Sequence, residues 1–90
     1  MTKTIAVQLY GHPGNNAVVR MPDRENPGVV IQADTLWTLA KNARELSDHL
    51  RSGKRLPDAV DEAEALAKRL EEMLARLRSE VAAAGEQIKL

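Results

Sequence analysis

The chain of 90 residues has no cysteine and no phenylalanine, and only one tyrosine and one tryptophan. Without cysteine there is no disulfide framework and no thiolate metal site, which suits a reducing compartment. With so few aromatics, the core has to be built from Leu, Val, Ile, Met and Ala. There is no charge excess either: 13 basic residues balance 13 acidic ones, so the basic surplus that favours binding to phosphates is missing. Long apolar runs are absent too, and the N-terminal "MTKTIAVQLYGH" is too short in apolar residues for a signal peptide. The expectation is a cytoplasmic protein that engages neither membrane nor nucleic acid.

What is present suits one small domain spanning residues 1–90, with 43% apolar residues. A core of this size stabilises modestly after conformational entropy is subtracted, so association with a partner or a second copy is expected. Ile5, Val7 and Leu9 alternate with Ala6, Gln8 and Tyr10, the period of a strand with one buried face. "GHPGNN" at 11–16 supplies a turn. Ala17 to Met21 form a second strand, "PDRENPG" at 22–28 a second loop, and Val29 to Ala33 a third strand. Short loops between consecutive strands predict an antiparallel meander over residues 1–33.

Asp34 stands where an N-cap is needed. Leu36, Leu39, Ala43, Leu46 and Leu50 then recur at helical spacing, predicting a helix over 34–52 that lies on one face of the sheet. Gly53 suits a left-handed C-terminal cap. Pro57 and Asp58 open a second helix over 58–84, with Gly85 able to end it. The predicted fold class is α+β, in the order strand, strand, strand, helix, helix. The last five residues, "EQIKL", are too few to assign as a strand.

Convergent chemistry is scarce. The two histidines, His12 in a turn and His49 on a helix, read as ordinary surface residues. His12, Asp23 and Glu25 do not converge as a metal site, because successive meander loops fall at opposite ends of a sheet. "GHPGNN" lacks the lysine and following helix of a phosphate loop. No catalytic residue, cofactor or metal is expected, and the chain reads as a non-enzyme.

Interaction surfaces are the better candidates. Taking Ile5, Val19 and Ile31 as the core face leaves Tyr10, Val18 and Val30 on an exposed apolar face. With Arg20 on the rim and Trp37 on the first helix, this face is the expected partner-binding site. The second helix, at 1.5 Å per residue, is roughly 40 Å long, beyond the ~30 Å span of a compact chain of this size. Its distal apolar residues Leu70, Leu74, Leu77 and Val81 are therefore the expected homodimer contacts.

The stretch "VVRMPDRENPGVVIQADTLWTLAKNARELSDHL" resembles the HicB-like antitoxin domain. The matching positions are Met21-Pro22-Asp23, Pro27-Gly28, Gln32 to Leu36, Ala40, Asn42-Ala43 and Glu45, and the resemblance covers residues 5–51. It departs from that family at Ala33, where glycine is usual, in the missing fourth strand, and in the lack of a C-terminal DNA-binding module. "PGNNAVVRMP" and "PGVVIQAD" also resemble a small uncharacterised bacterial domain. The HicB-like resemblance implies a bacterial protein-binding domain of antitoxin or immunity type that neutralises a toxin or effector. The alternative is a structural module assembling through its long C-terminal helix.

Overall fold

The computed structural model describes residues Thr2–Lys89. It is an α+β fold: β1 (Gln8–Tyr10), β2 (Val18–Arg20) and β3 (Gly28–Val29), then α1 (Ala33–Ser52) and α2 (Leu56–Ala83). The sheet is antiparallel with spatial order β1-β2-β3. Order and type of the elements agree with the sequence expectation, although the strands are shorter. Residues 86–89 are not a strand.

The chain divides into two compact units. One joins the sheet to the chain from Met73 on, and the other runs from Gln32 to Glu72. In the first unit, Tyr10, Val18 and Val81 form the buried cluster, with Val29, Leu77 and Ile88 packed against it. Val18 is 0% exposed, Val81 1% and Tyr10 5%. Each fully buried side chain of this size contributes about 1.5–3 kcal/mol.

This overturns the expected assignment of the sheet's two faces. Ile5, Val7 and Leu9 are exposed, whereas Tyr10 and Val18 are core. The register explains part of the reversal: Val18 pairs with Val29, not Val30, so Val29 joins Tyr10 and Val18 inside. Both faces alternate plausibly in sequence, and the choice is made by Val81 and Ile88, far along the chain. The helix against the sheet in this unit is the end of α2. The last turns of α2 are thus covered within the chain: Val81 is buried and Leu77 half-buried.

Helix ends follow local chemistry. Gly53 adopts φ 67° and its N–H donates to the His49 carbonyl, the left-handed cap expected there. At the end of α2, Gly85 has φ 76°. Its N–H donates to Ala82 O at 2.9 Å, and the Glu86 N–H to Val81 O at 3.1 Å. These two bonds are those of a Schellman motif.

The start of α1 differs from expectation. The N-cap is Gln32, with no side-chain cap bond, and Asp34 lies inside the first turn. Its Oδ1 accepts from the adjacent Thr35 N–H at 2.9 Å. What remains of its role is a negative charge at the positive end of the helix dipole, worth about 0.3–1 kcal/mol.

The second unit is an antiparallel hairpin of α1 and the first part of α2, joined by the short turn after Ser52. His49 Nδ1 lies 2.8 and 3.0 Å from the two carboxylate oxygens of Glu62. Asn42 and Glu45 share a groove with Leu66 and Arg69. Thr35 and Leu39 are the buried residues of α1, and Ala59 is buried on α2. Leu36 and Leu50, expected inside, are exposed. The apolar stripe of α1 is wider than its buried stripe, so periodicity alone could not choose its inner edge.

Candidate protein-binding surfaces

The open face of the sheet follows from the pairing. Leu9 lies opposite Val19, and Val19 opposite Gly28, on the side away from Tyr10 and Val18. Leu9 is 47% exposed, and Val7, Met21 and Val30 around it are exposed as well, as is Ile5 ahead of β1. Val7 and Met21 flank β1 and β2 and continue the same alternation. Gly28 contributes no side chain, so this corner of the face is flat. β1 and β3 are both edge strands.

The covered face is fastened by polar groups that join distant parts of the sequence. Tyr10 Oη donates to Glu86 Oε1 at 2.8 Å. Burial, then this hydrogen bond, pushes the phenol above its ordinary pKa. Arg20 Nη1 is 3.7 Å from the same Glu86 oxygen, and its Nε donates to Gln8 Oε1 at 2.7 Å. Asn26 clasps the C-terminal segment by two bonds: its Nδ2 donates to Lys89 O at 3.0 Å, and Lys89 N–H donates to its Oδ1 at 2.8 Å. Arg76 donates to Asn15 O at 2.5 Å and reaches His12 O at 3.5 Å, tying the first loop to α2.

Of the expected partner-binding residues, Tyr10 and Val18 are therefore interior and unavailable to a partner. Arg20 is half-buried in the Glu86 cluster. Val30 is exposed, and Trp37 is 65% exposed with Lys41 Nζ 5.2 Å from its ring centroid. Trp37 thus covers no core edge. Of the expected dimer contacts, Val81 and Leu77 belong to the core of the first unit, whereas Leu70 and Leu74 are exposed. His49 is not a free surface residue: it bridges α1 to α2 through Glu62.

Sequence reasoning missed Glu86, Asn26 and Arg76. Their partners lie 76, 63 and 61 residues away, and no local pattern marks such contacts. Among the described residues, no group of three or more His, Cys, Asp or Glu is placed to hold a metal ion. Among the same residues, no helix is long and apolar enough to cross a membrane.

No curated protein and no solved structure matches the chain. One family model does, over residues 2–89, and it is not that of the HicB-like domain. The chain belongs to DUF6959, a family of unknown function.

Proposed function

We propose that this domain is a small non-enzymatic protein-binding module of antitoxin or immunity type, holding a partner protein on the open face of its sheet. The observation that supports this reading is the exposed apolar set Val7, Leu9, Met21 and Val30 on one side of a sheet whose other side is filled. Exposed apolar patches of this kind mark interaction sites. The edge strand β1 adds unpaired backbone groups beside the patch, a second means of holding an extended segment.

A photo-crosslinking residue at position 9, introduced in the host cell, tests this directly. The expected result is a discrete adduct with a second protein, absent when the same residue stands at Asp61 on α2. With the probe still at position 9, Val7→Asp should abolish that capture while lowering the melting temperature by less than about 5 °C, because Val7 is exposed. Co-expression of the captured protein should arrest growth, and this domain should relieve the arrest. An absence of adducts, or undiminished capture by the Val7→Asp protein, would sink the proposal.

A further inference from the structure

The helical hairpin carries a second surface, independent of the sheet. On α2, Leu56, Val60, Ala63, Ala67 and Leu70 recur at alternating spacings of four and three. Leu36, Ala40, Ala43, Ser47 and Leu50 do the same on α1. Such a repeat is the seam by which one helix packs on another. Here both seams face solvent. Val60 is 67% exposed, Leu36, Leu50, Leu56 and Leu70 are exposed, and only Ser47 is half-buried.

Both seams lie on the same side of the hairpin. The faces that the two helices turn toward each other are marked by the His49–Glu62 pair and by the buried or half-buried Leu39 and Leu46 on α1 and Ala59, Leu66 and Arg69 on α2. Each of these residues is followed immediately by a seam residue. One residue is about 100° of rotation, so each seam is turned from the mutual contact by the same angle in the same sense. In an antiparallel pair, that rotation brings both seams to one face.

We infer that this face is the contact for a second copy of the chain, forming a four-helix bundle in which α1 of one copy packs on α2 of the other. Charge selects the pairing. Next to the seam, on its outer flank, α1 carries Arg44 and Arg51, while α2 carries Glu64 and Glu71. A two-fold axis parallel to the helices sets the basic flank against the partner's acidic one, and makes every neighbouring helix antiparallel. The alternative, α1 on α1, would set arginine against arginine. The central alanines Ala40, Ala43, Ala63 and Ala67 allow close approach of the axes, toward the lower end of the usual ~8–10 Å.

The size of the face sets the strength. A surface roughly 25 Å long and two helix diameters wide, about 20 Å, covers on the order of 500 Å² per copy. The total, about 1,000 Å², is near the lower limit for a specific interface. An interface of this size belongs to the weak, transient class, so the dimer is expected to dissociate on dilution to low micromolar concentration.

Sedimentation equilibrium of the whole chain of 9.9 kDa should show a concentration-dependent dimer, complete at several hundred micromolar. Val60→Lys should leave a folded monomer, since a residue so exposed contributes little to the hairpin itself. Arg44→Glu should weaken dimerisation about tenfold, two symmetric ion pairs being lost and each worth several-fold. Adding Glu64→Arg to Arg44→Glu should restore it. A wild-type monomer at these concentrations, a dimer untouched by Val60→Lys, or tighter association of Arg44→Glu would each overturn the inference. None of these outcomes depends on what the sheet binds, so the two proposals fail separately.

Discussion

Val18→Glu should unfold the domain, and Val30→Glu should leave it standing. Val18 is fully enclosed between Tyr10 and Val81. A carboxylate there is buried among apolar groups, with Arg20 already engaged by Glu86 and Gln8, and burying a charge without its own partner costs more than about 4 kcal/mol. A chain this small has only about 5–10 kcal/mol of total stability to lose. Val30, one residue beyond the pairing partner of Val18, is exposed, so its charge is solvated. Circular dichroism melts of the two proteins give the comparison. A lower melting temperature for Val30→Glu than for Val18→Glu would mean that the sheet is covered on the other side, and similar values would contradict the assignment of the faces.

Tyr10→Ala should lower the melting temperature by more than about 10 °C, from the loss of a buried aromatic ring and the cavity left behind. Tyr10→Phe keeps the ring and removes only the hydrogen bond to Glu86, an effect of about 5 °C. The two substitutions separate packing from polarity at one position. The pH dependence has a defined sign. The folded state favours the neutral phenol, whose pKa is raised above 10.0. Its contribution is therefore full below pH 10 and is lost as pH climbs through the folded-state pKa. Tyr10→Phe should remove this alkaline loss. An unchanged alkaline limb in that protein would show that other groups produce it.

Elements with local causes were legible in the sequence. The meander follows from alternation and turn residues, and the helix stops follow from Gly53 and Gly85, both in the left-handed region. The faces were not legible. In β1, Leu9 and Tyr10 are both apolar enough to be inside, and what decides between them is Val81, Glu86 and Ile88, more than 70 residues away. The α2 helix misled for a related reason. Its apolar positions exceed what one contact needs, because different stretches of 28 residues serve different units. Val81 and Leu77 complete the core under the sheet, while Val60 and Leu70 are left to solvent.

The most direct measurement of which sheet face is open is the bleaching of methyl NMR signals by a soluble gadolinium chelate. The expected result is strong broadening of the Val7, Leu9 and Val30 methyls, with those of Val18 and Val81 nearly untouched. Broadening of Val18 with protection of Leu9 would contradict the assignment of the faces, and with it the proposed site for a partner.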